Sequence, residues 1–557
     1  MDAVQACHAS KLREESTHET SQWPSSGRWY WSILLAFVML GVMARATRYL
    51  QGWDPWGDET ALIINVLERD FAGLLRPLDN CQVAPAAYLW VTKASSLLLG
   101  VNELSLRLPA FVSSIAALFL MVSIARSVAP TNWAVFIAVG IFAVSNYHIR
   151  HSAEMKQYAM ECLVSTGLIA LALLAARFRP AGAWTLIAVM PLAMTASLTT
   201  PFVAGGVSLA LLPVIWARRS GPWWAWYMLY NTVVGACFLA VYFLILKPQA
   251  AVSEAGMELS WAGQMPHWHD AAGVLKWILR TATGSLFAHP IGGENGESLP
   301  FVALFWIGVV SMWRRGDRLF LRLAAGTLLL AAIAALLRRY PLGGHPRLAL
   351  YLSPFMVIPM AVGAASVAHF RTRDAALALR RNVAVLAVLA VIGLAGMVKD
   401  LAKPYFSPSS RNLGQFARWF WRDYALAAPG PLACIVQDGA TLPPPPREHW
   451  YLYARHAGAA ACRVPPVPER LVQPTGLVMC NALGHYDGTA ALRSWREKVQ
   501  NRYEIFDHDF FIVTGDKPFH AVRYDVLWVR PMPSGSDSAT VPVLTISRKS
   551  ARNAVGD

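Results

Sequence analysis

The chain has 557 residues, 55% of them hydrophobic and only 15% charged, and its mean hydropathy is positive. That balance excludes an ordinary soluble domain, which carries about 25% charged residues, and indicates a polytopic membrane protein. The formal charge of +15 does not mark a nucleic-acid partner, because the excess arginines stand in short clusters between apolar runs and form no continuous basic face.

Residues 1–29 are polar, include Lys11, Arg13 and Arg28, and hold no apolar h-region or small-residue cleavage site; a cytoplasmic tail without a cleaved signal peptide is expected. Beyond them, apolar windows of roughly 17–25 residues, enough to cross a ~30 Å hydrocarbon core, recur as far as Val398. They predict about eleven spans: 30–49, 107–128, 131–147, 157–176, 183–198, 200–216, 224–246, 299–313, 319–337, 348–368 and 382–398. The connection 51–106 opens with "QGWDPWGDET", in which Trp, Pro and Gly surround the adjacent carboxylates Asp58 and Glu59. Its segment 85–99 is apolar but short and carries Lys93, so it reads as an interfacial helix. Segment 59–75 reads likewise, with Ile63, Leu67, Phe71 and Leu74 at helical spacing.

With the amino terminus inside, every second connection is cytoplasmic, and those connections hold Arg126, Arg177 and Arg179, Arg218 and Arg219, Arg314 and Arg315, and Arg371, Arg373, Arg380 and Arg381. An odd number of spans then places the tail outside, together with loops 51–106 and 247–298. The tail, 400–557, alternates strand-like runs ("LACIVQ", "GLVMC", "DVLWVRP") with helix-like stretches such as 489–500, and reads as a small soluble α/β domain with a loop or polyproline II segment at Pro443–Pro446. Seven cysteines show no C-x-x-C pair and no zinc spacing; Cys462 and Cys480 can pair if the tail lies in an oxidising compartment. No solenoid repeat is present.

In this topology four clusters share the outer face: "GDET", "CQVAPAAY" running to "NELSLRLPA", "NYHIRHSAEMKQYA" and "YPLGGHPRLALYLSP". Asp58 and Glu59 supply carboxylates; Arg107, Arg150, Lys156 and Arg347 supply positive charge at span ends; Tyr88, Tyr147, Tyr158, His148, His151 and His345 supply donors. The carboxylates suit a general base, a hard divalent cation, or a structural partnership with Arg107. If Asp58 caps a helix beginning near Glu59, the two side chains diverge by about 100° and Glu59 is left for a cation or for backbone; the plain alternative for Asp58 is an ordinary N-cap. The arginines suit either interfacial anchoring or a bidentate clamp on a lipid phosphate. Arg347 is the strongest clamp candidate, since it follows Gly-Gly-His-Pro where a span begins; Lys156 and Tyr158 come next, and Arg150 could instead pair with Glu154 at i,i+4.

These stretches, in this order, resemble the GT-C polyprenyl-phosphate-sugar glycosyltransferases, in particular glycosyltransferase family 39, which includes protein O-mannosyltransferases and lipid A aminoarabinose transferases. The resemblance covers about residues 30–370: "GDET" after the first span, "APAAY" with "GVNELSLRLPA", "RHSAEMKQYA", and "YPLGGHPRLALYLSP". It implies a mainly α transmembrane domain over 30–399 whose loop 51–106 is catalytic, with 400–557 exoplasmic. It also implies inverting transfer of a hexosyl or pentosyl unit from a polyprenyl-phosphate-linked donor to a lipid, glycan or protein acceptor outside a bacterial inner membrane. By position, Asp58 takes the base role, Glu59 its supporting partner, Arg107 and Tyr88 the ordering of the acidic loop, and Arg347, Lys156, Tyr158 and Arg150 the donor phosphate. The sequence assigns no cofactor, and a divalent cation near Asp58 and Glu59 is compatible with the acid pair. "VAPAAY" departs from the family in lacking the basic residue and second proline often found ahead of that helix, which puts acceptor handling in question. Two other classes compete: an O-antigen ligase or polymerase type of transferase, disfavoured by the acid pair after the first span, and a lipid-linked-sugar flippase, disfavoured by charges at span ends rather than span middles.

Overall fold

The computed structural model of the chain describes residues 27–251 and 261–405, apart from 80–81, 294–295, 371 and 373, together with the strands and a few helical positions of the tail. Lys11, Arg13, Arg371, Arg373, Pro443–Pro446 and Cys462 lie outside the described residues. The chain forms two compact units: Met1–Gly52, Arg69–Gly100 and Leu104–Pro404 in the first, Trp53–Glu68, Val101–Glu103 and Tyr405–Asp557 in the second.

In the first unit every predicted span is helical. Eight helical segments among the described residues are long and apolar enough to cross a membrane. They are α1 (Arg28–Leu50), α4 (Glu103–Val128), α7 (Tyr158–Ala176), α10 (Thr200–Arg218), α11 (Gly221–Val241, continued by a π turn to Ala251), α14 (Arg318–Leu336), α15 (Ser353–Ala368 with the 3-10 turn Pro346–Leu352 ahead of it) and α16 (Ala375–Ala402). The other three predicted spans are shorter. Helix α5 covers Asn132–Val144, α13 covers Leu299–Arg315, and 183–198 divides into α8 (Pro180–Ala188) and α9 (Met190–Ala196). The division follows from Pro191, which has no N–H to donate to the carbonyl of Ile187.

The stretch 85–99 forms α3 (Ala86–Leu99), and the chain leaves and re-enters the bundle on one side of it. Tyr49, at the end of α1, donates its hydroxyl to Leu104 O at 2.8 Å, while Arg126, near the end of α4, lies 4.6 Å over the ring of Trp31 at the start of α1. Helices α1 and α4 are therefore antiparallel neighbours, and α3 does not cross between them. The expectation of one helix through 59–75 is corrected: α2 (Gly57–Glu68) stops, and Gly73–Leu75 forms a separate 3-10 turn. Side chains capture the backbone there. Asp70 Oδ1 accepts the Gly73 N–H at 2.6 Å, and Arg69 donates to Pro77 O at 2.7 Å while pairing with Asp79.

Helix packing relies on small residues. A Cβ on Gly308 of α13 would fall on the carbonyl of Pro359 in α15, and one on Gly363 would fall on the carbonyl of Leu304, so the two backbones touch along their length. Arg45 of α1 is wholly buried and bonds Ser114 Oγ and the carbonyls of Gly41, Phe142 and Ala143, tying α1 to α4 and to the end of α5.

In the second unit the tail holds a four-stranded sheet ordered β1 (Ile435–Val436), β2 (Thr475–Ala482), β4 (Val522–Pro531), β3 (Tyr503–Val513). The first pair is parallel and the others are antiparallel, with an irregularity in β3 between Ile505 and Asp507. Strands β1, β2 and β4 coincide with the three expected runs; β3 was not expected. Glu497 and Gln500 are helical within the stretch 489–500.

Candidate functional site

The acid pair sits in the first turn of α2. Because the helix begins at Gly57, Asp58 lies inside it and does not precede it, which corrects the expected capping role. Glu59 does the capping: its Oε2 accepts the N–H of Trp56, three residues back, at 3.3 Å, the returning half of a capping box. Glu59 is buried and Asp58 half-buried, with Trp53 buried beside them in sequence. Two carboxylates in the first turn also complement the positive end of the helix dipole.

The basic and tyrosine candidates belong to the first unit, where loops at one end of the bundle meet. The short helix α6 (Asn146–His151) and the turn after it carry Arg150, His151, Glu154 and Lys156, and Tyr158 opens α7. Lys156 Nζ donates to Gln82 Oε1 at 2.7 Å. His151 stands 6.5 Å, centroid to centroid, from His345, and Asn146 N–H reaches Pro290 O at 3.0 Å. Arg347 lies over two aromatic faces, Trp261 at 4.9 Å and Tyr158 at 5.9 Å. Its backbone is fixed as well, because His345 Nδ1 accepts the Arg347 N–H at 3.2 Å and caps the turn Pro346–Leu352. Sequence neighbours Gly343 and Gly344 hold φ of +82° and +76°, which only glycine adopts without strain.

Glu154 organises this cluster. It accepts from Arg150 Nε at 3.0 Å and from His151 Nδ1 at 2.7 Å, so the i,i+4 partnership foreseen for Arg150 is present. Burial alone would raise the Glu154 carboxyl, but hydrogen bonds and charge from His151 and Arg150 outweigh it and hold the carboxyl well below its ordinary range. His151 is pushed down by burial against the pull of Glu154, whose carboxylate its Nδ1 faces, and its buried Nε2 has no hydrogen-bond partner among the described residues. Burial also lowers His148 well below 6.5, His289 to about 4 and His345 to about 3, the last with help from Arg347. His289 Nδ1 bonds Ser145 Oγ at 3.0 Å and its ring lies 5.6 Å from that of His148. This end of the bundle therefore combines neutral imidazoles with fixed guanidinium and ammonium charge, a setting suited to a dianionic or monoanionic phosphate ester.

Arg107 is buried in α4, and Tyr88 is wholly buried in α3, where Thr92 Oγ1 donates to its carbonyl at 2.8 Å. His148 and His151, placed by the sequence among the donors of the outer face, are both buried. The sequence reading gave no role to Glu154 beyond a pairing with Arg150, and none to His289, Arg45 or Gln82. Among the described residues no three His, Cys, Asp or Glu side chains converge as a metal set. An apolar groove of about 410 Å³ between α1 and α16, lined by Phe37, Trp133 and Leu386 among others, offers no polar group to a reaction.

No family model and no curated protein matches the chain in sequence. Among solved structures it is similar to ArnT from Cupriavidus metallidurans, both in the apo state and bound to undecaprenyl phosphate. Each has a TM-score of 0.51 at 14% identity, covering 88% of this chain and 97% of the other. The oligosaccharyltransferase of Archaeoglobus fulgidus aligns with a TM-score of 0.45 at 13% identity over 81% of this chain and 61% of that one. The likeness to ArnT establishes the fold: this is a mainly α, polytopic membrane protein that shares ArnT's architecture.

Proposed function

We propose that this chain is a membrane glycosyltransferase that moves one sugar, hexosyl or pentosyl, from a polyprenyl monophosphate to an acceptor hydroxyl by inverting single displacement. The observation that carries the reading is Arg347, its N–H capped by His345 and its guanidinium over the rings of Trp261 and Tyr158, in a fold shared with a protein crystallised with undecaprenyl phosphate. In this reading Arg347, Lys156 and Tyr158 hold the donor phosphate, with Arg150 steadied by Glu154 nearby.

The chemistry is a substitution at the anomeric carbon. Asp58 takes the acceptor proton as the new C1–O bond forms, and the old C1–O bond breaks toward phosphate, whose growing charge is met by the guanidinium and ammonium groups. Glu59 supports Asp58 by holding the first turn of α2 through the Trp56 N–H. Arg107 and Tyr88 order the connection in which the acids lie. The acceptor is a hydroxyl of a lipid, glycan or protein. The positive-inside pattern supports an outward-facing site and tail, in a bacterial inner membrane.

The test is transfer of radiolabelled sugar from a panel of polyprenyl-phosphate sugars into membranes containing wild type, Asp58→Asn or Arg347→Ala at matched protein levels. Wild type labels a product, Asp58→Asn loses at least 100-fold in rate, and Arg347→Ala loses most of its donor affinity. Full activity in Asp58→Asn would remove the base assignment. No labelling by wild type from any donor in the panel would remove the transferase reading.

A further inference from the structure

Loop 247–298 contains a helix that no step above uses. Helix α12 (Ala271–Thr283) is capped by Asp270, whose Oδ1 accepts the Gly273 N–H at 3.0 Å, and it is followed at once by Gly284. At about 1.5 Å per residue it is ~20 Å long, too short to cross a ~30 Å core. Its residues divide into three faces. Leu275, Ile278 and Leu279 are exposed on one side at 57%, 48% and 56%, and Trp268, just ahead of the helix, is 71% exposed. At about 100° per residue these three side chains fall within one arc, while Lys276 and Arg280, both exposed, lie together along its Leu279 border. Trp277 and Thr281 make the third face. Trp277 is buried and donates its Nε1–H to Leu342 O at 2.9 Å, and Thr281 packs so closely on Gly343 that no Cβ would fit.

We infer that α12 is a docking surface for the headgroup and acyl boundary of an anionic leaflet, and that its inner face seats the Gly343–Arg347 turn at that depth. Exposed leucines and an isoleucine bordered by cations, with no acid inside the helix, match an apolar boundary topped by negative headgroups. The partner is a lipid surface because α12 lies between two apolar helices, α11 and α13, of a polytopic membrane protein. The mechanical link to Arg347 is short. Trp277 holds Leu342, Thr281 abuts Gly343, Gln264 abuts Gly344, and Trp261 lies over the Arg347 guanidinium.

The experiment places a benzophenone amino acid at position 279, and in a second variant at 276, in the full chain. The protein is reconstituted in nanodiscs of phosphatidylglycerol and phosphatidylethanolamine, irradiated and analysed by mass spectrometry. Position 279 forms adducts on acyl chains, and 276 forms fewer, at headgroups. Adducts of 279 only to a second copy of the chain, or no lipid adduct at 279, overturn the inference. Crosslinking needs no turnover, so it stands whether or not the transferase reading survives. The link to Arg347 rests on that reading and is read kinetically. Lys276→Glu with Arg280→Glu raises KM for the lipid donor at least fivefold with kcat within twofold, and replacing phosphatidylglycerol by phosphatidylcholine does the same to wild type. An unchanged KM in both would overturn the seating of the turn.

Discussion

Glu154 carries two of the candidate cluster's hydrogen bonds on one buried carboxylate, so its removal is felt at both ends. Glu154→Gln removes the charge that Arg150 Nε pairs with and weakens the hold on His151 Nδ1. Arg150 is partly exposed, which screens the loss, and a cost of about 2 kcal/mol is expected, seen as a lower melting temperature of the purified protein. A melting temperature equal to wild type would mean that Glu154 organises nothing. The histidines set a pH dependence of known sign. His289 titrates near 4 in the fold against an ordinary 6.5, so the unfolded chain binds more protons between those values. Its contribution is fully present above pH 6.5 and is lost as pH falls toward 4, about 3 kcal/mol in all. Glu154, depressed from 4.5, adds a further loss at lower pH. Thermal melting from pH 7.5 to 4.5 should fall, and His289→Gln should flatten the upper part of that fall; a profile unchanged by the substitution would separate the acid sensitivity from His289.

At the scale of elements, the α13–α15 pair makes the sharpest mutational prediction. Gly308→Ala puts a methyl on the Pro359 carbonyl and must part the helices, costing about 1–3 kcal/mol, whereas Gly396→Ala in α16 meets nothing within 4 Å and should be neutral or slightly stabilising. Equal melting temperatures for the two variants would contradict the close approach. The helices themselves were readable in the sequence because hydrocarbon imposes length and apolarity locally, and each of the eleven predicted spans is helical. The division at Val189 was also written there, in Pro191. Where helix α2 stops was not, since it depends on Arg69 and Asp70 turning back on their own backbone rather than on periodicity. The candidate site divides in the same way. Arg347 and Lys156 stand out by charge at span ends, but the burial of His148, His151 and His289 comes from loops more than a hundred residues apart and leaves no local signal. Of the two uses the sequence left for Glu59, a cation or backbone, the structure shows backbone, through the Trp56 N–H.

At the scale of the molecule, the two ends of the transmembrane bundle differ in chemistry, and that difference fixes a testable orientation. One end gathers Arg126 over Trp31 and Arg218 over Phe178 at 3.8 Å, with Arg314 and Arg315 closing α13. These are cations at helix ends, the first two of them over aromatic rings, as expected of interfacial anchors. The other end gathers neutral imidazoles, Glu154 and Arg347. In the orientation proposed above, which follows the positive-inside rule, the first end faces the cytoplasm and the second faces outside. Alkaline phosphatase inserted after Glu297 should therefore be active and green fluorescent protein there dark, with the reverse after Gly316, in the turn between α13 and α14. The two positions are separated only by α13, whose 17 residues span ~26 Å and sit at the lower limit for crossing, so the pair of insertions also tests whether α13 spans at all. Active phosphatase at both positions would show that it does not. Active phosphatase after Gly316 alone would invert the whole chain and put the Arg347 cluster in the cytoplasm, where an outward-facing transfer has no place for it.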